Sequence, residues 1–459
     1  FNMNLDKIFK PKTIAVIGAS PVENSVGFGL IKNLSVKGHK RKIFCVNPNY
    51  QIVYGYECYK TINQIEEKVD LAIIAVKAQI VEKIVDQCIE KRVGGVIIVS
   101  AGFAESGKDG KILQDQIAKK LKENHIPLIG PNCLGILNPL QDLNASFAPA
   151  MPKKGQIAFV SQSGALIDSV IDLALTENFG FSKIISLGNM ADLDLIDFLE
   201  YLIKDKDTKV ITLYIESIRD GRKFLNAAKK SRKPIIVIKA GKTSLSKEAV
   251  STHTGSLAGD YEVYKTAFKQ AEVIETDSII EMFDIAKAIS WQPAIKNGVA
   301  IVTNGGGVGI LTVDYCFESG IKLPALKEMT IKKIDKKMHP AWSKRNPIDV
   351  LGDADPSRYQ TALNEILKQH DVYGVIVIQT LQMMTNPLEN AKVIIDAKEK
   401  FPNKAIICSF VGGHLIQNSI DLLEENNIPN YTDPRRAVIA MNSLIRICKK
   451  KSIFFGLRT

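Results

Sequence analysis

The chain has no CxxC pair, no GxxxxGK[ST] phosphate loop, and no apolar run of the roughly 18 residues that a membrane-spanning helix needs. Its seven cysteines, at positions 45, 58, 88, 133, 316, 408 and 448, are odd in number and scattered. Neither a disulfide framework nor a zinc ribbon is expected, and a reducing, cytoplasmic setting fits. A secretory leader is also missing: Phe1-Asn2 ahead of Met3 reads as a cloning remnant or a misread start. No metal site is expected.

What is present describes a globular protein of about three domains: 459 residues, 46% hydrophobic and 24% charged. The formal charge of +11 is spread along amphipathic segments and mixed with Asp and Glu. Runs such as Lys229-Lys230-Ser231-Arg232-Lys233 read as solvated faces, so a small polyanion is a better ligand than nucleic acid.

One pattern occurs three times. Thr13 to Ile17 is an apolar run that ends at Gly18-Ala19-Ser20 and is followed, past Gly27, by a helical pattern. Further runs at Lys42 to Val46, Leu71 to Val76, Val96 to Val99 and Pro127 to Ile129 alternate with helical stretches. This predicts a parallel sheet covered on both faces, a Rossmann-like domain over 1–145. The prolines near Met151 mark a linker, after which Ile157 to Val160 leads into Ser161-Gln162-Ser163-Gly164 and a helix from Ala165. Strands at Lys183 to Leu187, Val210 to Ile215 and Pro234 to Lys239, then helices from Tyr261 and Ser278, make a flavodoxin-like domain over 150–292. Val299 to Thr303 runs into Asn304-Gly305-Gly306-Gly307 and opens a third domain, also flavodoxin-like, over 296–459. The expected class is α/β: a Rossmann-like domain followed by two flavodoxin-like doubly wound domains.

The first glycine loop is not a dinucleotide site by its spacing. It lacks GxGxxG, and the second strand ends in Asn47-Pro48-Asn49 where ribose recognition would want a carboxylate. What survives is a polar loop before a helix N-terminus, able to hold a phosphate through exposed N–H groups. Ser161-Gln162-Ser163-Gly164 offers a second such end, and Gly130-Pro131-Asn132-Cys133-Leu134-Gly135 closes the first domain near it.

His253 lies in Ser251-Thr252-His253-Thr254-Gly255-Ser256 with no Cys or other His within ten residues on either side. That is a poor metal site and a reasonable covalent one, since neutral imidazole is a nucleophile near neutral pH. The stretch from Gly241 to Gly259 reads as a hydroxyl- and glycine-rich loop able to move. Glu216, at the end of a strand, can accept Nδ1–H and leave Nε2 as the attacking nitrogen.

Together, Gly18-Ala19-Ser20, Gly130 to Gly135, Val160 to Ala165, Tyr214-Ile215-Glu216 and Thr252 to Gly255 resemble the alpha subunit of the ADP-forming acyl-CoA synthetases, relatives of succinyl-CoA synthetase. The resemblance spans almost the whole chain, although the succinyl enzyme's alpha subunit has no third domain. It implies conversion of acyl-CoA, such as acetyl-CoA, with ADP and phosphate into free acid, ATP and CoA, through an acyl phosphate and a phosphorylated His253 oriented by Glu216. It also implies a CoA groove lined by Gly18, Ser20, Ser25, Val76, Lys77, Ser100 and Ala101. Asn132, Ser163, Gly164 and Ala165 would hold the phosphate. ADP/ATP and Mg²⁺ would be bound mainly by an ATP-grasp beta subunit in an α2β2 heterotetramer. An NAD-dependent oxidoreductase and a CoA-sensing module are the rival readings; the missing ribose carboxylate counts against the first, and His253 with Glu216 against the second.

Overall fold

A strand with an unbroken apolar run has to be covered on both faces, and β1 (Thr13–Ile17), apolar and buried from Ile14 to Ile17, is such a strand. The computed structural model describes residues 5–35, 40–254 and 259–454. It divides into two compact units, Phe1–Thr276 and Asp277–Thr459. Among the described residues no helix is long and apolar enough to cross a membrane.

The first unit holds two sheets. β1 is followed by β2 (Lys42–Val46), β3 (Ile52–Val53), β4 (Tyr56–Tyr59), β5 (Leu71–Ile74), β6 (Val96–Ile98) and β7 (Leu128–Ile129). Their order is β3-β4-β2-β1-β5-β6-β7, parallel except at the β3/β4 edge. Helices Val26–Leu34, Ala78–Glu90 and Lys108–Glu123 follow β1, β5 and β6.

The second sheet takes β8 (Gly135–Asn138), β9 (Leu143–Ser146), β10 (Lys153–Ser161), β11 (Gly180–Ser186), β12 (Val210–Ile215), β13 (Ile235–Lys239) and β14 (Ile274–Glu275). They run in the order β14-β13-β12-β10-β11-β8-β9. The β8/β9 hairpin, placed by the sequence reading at the end of the first domain, is thus hydrogen-bonded into the second sheet. Ile136 and Leu137 pair antiparallel with Ile185 and Ile184, and every residue of the hairpin's strands is buried. Asn33, on the first sheet's leading helix, ties down the far end by donating to the carbonyls of Ser146 at 2.9 Å and Ala148 at 2.8 Å.

Two other expectations change. The stretch from Gly241 to Gly259 is not all loop, because Ser244–Thr254 is a helix. Its start is held by reciprocal bonds: Thr243 N–H donates to Ser246 Oγ at 2.9 Å and Ser246 N–H to Thr243 Oγ1 at 3.2 Å. Residues 255–258 lie outside the described residues. In the charge run, Lys229, Lys230 and Arg232 are exposed, but the Lys233 ammonium donates to the carbonyls of Leu202, at 2.7 Å, and Asp205.

The second unit is a parallel sheet of β15 (Val299–Thr303), β16 (Ile348–Asp349), β17 (Gly374–Thr380) and β18 (Ala405–Val411), ordered β16-β15-β17-β18. Helix Ile279–Trp291, which the sequence reading gave to the second domain, packs in this unit. Two ion pairs hold it there: Asp284 with Arg436 and Lys287 with Glu424, each at 2.7 Å. Charges this buried are tolerated only when paired, so they fix where the helix docks.

Candidate active site

The loops after β1, β5 and β6 gather at one edge, because these strands are parallel neighbours and their carboxyl ends coincide. Gly18 sits at φ +94°, where a Cβ would stand 2.3 Å from the Ala75 carbonyl oxygen. A Cβ on Gly27 would stand 2.1 Å from the Gly18 oxygen, so helix Val26–Leu34 starts directly on the strand end. Ser20 Oγ accepts from Val22 N–H at 3.1 Å, while Ser25 caps the helix by accepting from Phe28 N–H at 3.2 Å. Asn47 occupies the ribose-carboxylate position and donates to the Ala19 carbonyl at 2.9 Å, which closes the loop on itself. Val76 and Ser100 are half-buried there, and Lys77 and Ala101 are exposed.

On the second sheet, β10 ends at Ser161 and the chain turns into helix Gly164–Thr176. Ser161 Oγ accepts from Ser163 N–H at 3.0 Å, its hydroxyl donates to the Ser163 carbonyl at 2.8 Å, and Ser163 Oγ accepts from Leu166 N–H at 3.3 Å. The serines therefore hold the turn, leaving the first-turn amides around Gly164 and Ala165 as the positive end of the helix.

A polar seam joins the two edges. Asn132, at φ 56°, donates its N–H to the Ser100 carbonyl at 2.9 Å and its side-chain amide to Asn189 Oδ1 at 3.3 Å. Asn189 in turn donates to Gln114 at 2.9 Å and to Glu105, whose other oxygen accepts from Gly102 N–H at 2.6 Å and Phe103 N–H at 3.0 Å. Burial pushes the Glu105 carboxyl up, but the Asn189 amide and these N–H donors outweigh it and hold the group below its ordinary value. Burial pushes the Cys133 thiol up to about 12, which disfavours a thiolate there.

Glu216, 5% exposed, follows β12. Gln162 braces it: its Oε1 accepts from the N–H groups of Glu216 and Ser217, and its Nε2 donates to the Ser217 carbonyl at 2.9 Å. From the neighbouring β13 the Lys239 ammonium donates to the Glu216 carbonyl at 2.8 Å and to the Ala240 carbonyl. Burial is the main reason that this ammonium's pKa falls to about 8, with Glu216 pulling it partly back up. His253 is in the last turn of helix Ser244–Thr254. Its side chain, and hence its expected contact with Glu216, lies outside the described residues.

The sequence reading singled out neither Lys239, Asn189 and Glu105 nor, as a brace, Gln162. Lys239 carried a signal, as a cation closing the apolar run Ile235 to Ile238; Asn189 carried none.

Family models match along the chain in this order: a CoA binding domain over 12–139, a succinyl-CoA ligase like flavodoxin domain over 154–289, and a ligase-CoA domain over 299–446. The alpha subunit of acetate–CoA ligase [ADP-forming] II of Pyrococcus furiosus is 40% identical, over 97% of this chain and 98% of its own length. The chain belongs to the ADP-forming acetate–CoA ligase family. It spans only 64% of the Archaeoglobus fulgidus acetate–CoA ligase [ADP-forming] I, at 42% identity over 97% of this chain. Among solved structures, the Ca. Korarchaeum cryptofilum dinucleotide forming acetyl-coenzyme A synthetase 1, in complex with phosphate and ADP, superposes with a TM-score of 0.93 at 34% identity, covering 100% of both chains. The Rossmann-like and flavodoxin-like architecture is therefore that of this family.

Two tests follow from the geometry. Gly18→Ala forces a side chain into left-handed backbone, at about 1–2 kcal/mol, and against the Ala75 carbonyl as well. A lower denaturation midpoint and weakened CoA binding are expected; unchanged values for both would show that the loop is not as closely packed as described. For Lys239, the native state bears the full cost of burying the charge below its folded pKa of about 8, and that cost is relieved as pH rises towards the ordinary value of 10.5. The unfolding free energy of the native chain relative to Lys239→Met should thus increase across that window, as read from denaturant midpoints on either side of it.

Proposed function

We propose that the chain is the alpha-type part of an ADP-forming acyl-CoA synthetase, catalysing acyl-CoA + ADP + phosphate = carboxylic acid + ATP + CoA. A phosphate oxygen attacks the thioester carbonyl, the carbon–sulfur bond breaks, and CoA leaves as a thiolate that takes up a proton. The resulting acyl phosphate is attacked at phosphorus by the His253 imidazole, releasing the carboxylate; the phosphoryl group then passes to ADP. The observation that carries this reading is the seam itself: Asn132 stands between Ser100, at the edge of the CoA-binding domain, and Asn189, beside the strand end from which helix Gly164–Thr176 departs. Thioester and phosphate can meet there. Gly18, Ser20, Ser25, Val76, Lys77, Ser100 and Ala101 line the CoA side, and Asn132 with the amides of Ser163, Gly164 and Ala165 takes the phosphate.

Positioning and charge neutralisation do most of the work in phosphoryl transfer. The helix end favours the phosphoryl oxygens, and Glu216 orients the imidazole and balances its developing positive charge. ADP and Mg²⁺ are held mainly by an ATP-grasp beta subunit, in an α2β2 complex located in the cytoplasm; the naming of the Pyrococcus furiosus relatives as alpha subunits supports a separate partner.

Incubated with acetyl-CoA and radiolabelled phosphate, the chain should acquire an acid-labile, base-stable label that His253→Ala abolishes while CoA binding persists. Stable labelling of that variant would sink the assignment. Glu216→Gln should slow labelling more than about tenfold, and unchanged single-turnover kinetics would make Glu216 structural only. ATP should form from acetyl-CoA, ADP and phosphate once an ATP-grasp subunit is added, and not before; ATP synthesis by the purified chain alone would show the nucleotide site to be misplaced.

A further inference from the structure

Three lysines among the described residues are almost fully buried: Lys183 at 0%, Lys239 at 1% and Lys287 at 1% exposure. Two of them meet carboxylates, Lys183 with Asp205 at 2.6 Å and Lys287 with Glu424 at 2.7 Å. Asp207 also lies 3.9 Å from Lys183, so each of these ammoniums is neutralised by an adjacent carboxylate. Lys239 is different. Its hydrogen-bond partners are the carbonyl oxygens of Glu216, at 2.8 Å, and Ala240, and its third side faces the Tyr264 ring with Nζ 4.5 Å from the centroid. Two carbonyls and one aromatic face satisfy the three N–H donors of an ammonium without cancelling its charge. Its charge, at the carboxyl end of the sheet, is therefore offset only at a distance, by the Glu216 and Glu275 carboxylates.

The groups it touches are significant in themselves. Glu216 begins the turn after β12, and Ala240 begins the segment that leads through Gly241, at φ +78°, into helix Ser244–Thr254 and so to His253. A Cβ on Gly241 would lie 3.2 Å from Val250 of that helix and 3.7 Å from the Lys239 Nζ, so the helix packs back over its own root. Tyr264, which roofs the ammonium, accepts from Ile218 N–H at 3.1 Å through its hydroxyl and thereby belongs to the same turn as Glu216. One side chain thus joins the main chain at Glu216 to the main chain that leads into the His253 helix.

We infer that Lys239 is a positioning residue for phosphoryl transfer: its ammonium clamps the main chain at Glu216 to the root of the His253 helix and keeps a fixed positive charge beneath the site through which the phosphoryl group passes. The inference rests on the phosphohistidine reading above. A buried cation fixed by carbonyl dipoles costs no reorganisation when the phosphoryl anion arrives, and in a poorly solvated site its attraction is much less screened than in water. Other charges also face it: Glu216 from β12, Glu275 from β14, Lys242 just beyond β13, and Lys247 from the His253 helix. The two carboxylates favour the protonated ammonium and the two lysines oppose it. With its pKa near 8, the clamp holds at neutral pH and opens in mild alkali.

The test is the rate at which the full chain takes label from acetyl-CoA and radiolabelled phosphate, across pH, in the native protein, Lys239→Met and Lys239→Arg, with CoA affinity measured in parallel. In the native protein the rate should fall above about pH 8. Lys239→Met should label roughly tenfold or more slowly at neutral pH, lose the alkaline fall, and keep its CoA affinity; Lys239→Arg should recover part of the rate without the fall. Equal labelling of native and Lys239→Met protein overturns the clamp alone, as does parallel loss of label and CoA affinity, which marks a merely structural lysine. Should Lys239→Met fail to fold, the native profile decides: a rate that stays level through the alkaline range overturns the inference. Native protein that takes no label removes the phosphohistidine reading, and this inference with it.

Discussion

The arrangement of the first unit depends on a short run of main-chain hydrogen bonds between residues 128–134 and 186–193. Leu193 N–H donates to the Leu128 carbonyl at 3.2 Å, Ala191 N–H to Gly130 at 2.9 Å and Asn189 N–H to Pro131 at 2.9 Å, while Leu134 N–H reaches Ser186 Oγ at 2.9 Å. Gly188 allows this approach, because a Cβ there would lie 2.2 Å from the Pro131 oxygen. Backbone groups buried between two sheets have to be paired, and pairing them with one another sets both the distance and the register of the lobes. Without that registration, neither Asn132 nor the helix end at Gly164 would have a fixed place relative to the loops after β1, β5 and β6.

On this frame the polar groups are arranged by how far each can afford to leave water. The serines at the two helix starts spend their hydroxyls on local backbone, which leaves the first-turn amides and the helix dipole as the free polar elements there. Glu105 and Asn189 fill the space between the lobes with a satisfied network, and such networks specify a single packing more strictly than apolar contact does. Burial raises the thiols of Cys45, Cys88 and Cys133 to about 12, which disfavours a thiolate at these three positions.

Local features of the sequence were legible and distant pairings were not. The apolar runs of β1, β10 and β12, the glycine that ends β1, and the helix that starts just after Ser163 all follow from residues adjacent in the chain. The β8/β9 segment was not read as a hairpin from the sequence, and its place in the second sheet depends on Ile184 and Ile185, which stand far along the chain. Helix Ser244–Thr254 was hidden by its serines and threonines, residues that favour turns unless a reciprocal cap, here Thr243 with Ser246, makes them start a helix instead. Helix Ile279–Trp291 showed its period but not its allegiance, which Arg436 and Glu424 decide. In the candidate site, the expected residues lie in compact motifs of adjacent positions. Gln162 and Lys239 act through backbone carbonyls and amides of neighbouring strands, and no spacing in the sequence encodes such contacts.

The β8/β9 hairpin also bears on how this kind of protein can be taken apart or recombined. Its strands complete the edge of one sheet while Asn33 and the Phe9 carbonyl, which accepts from Asn138 at 2.9 Å, hold it to the other lobe. A gene fragment ending after the hairpin would carry an edge with no sheet to join, and one beginning after it would leave β11 uncovered on that side. The Rossmann-like lobe and the flavodoxin-like lobe are therefore not interchangeable modules, and an exchange between relatives would have to move both lobes together, with the hairpin between them intact.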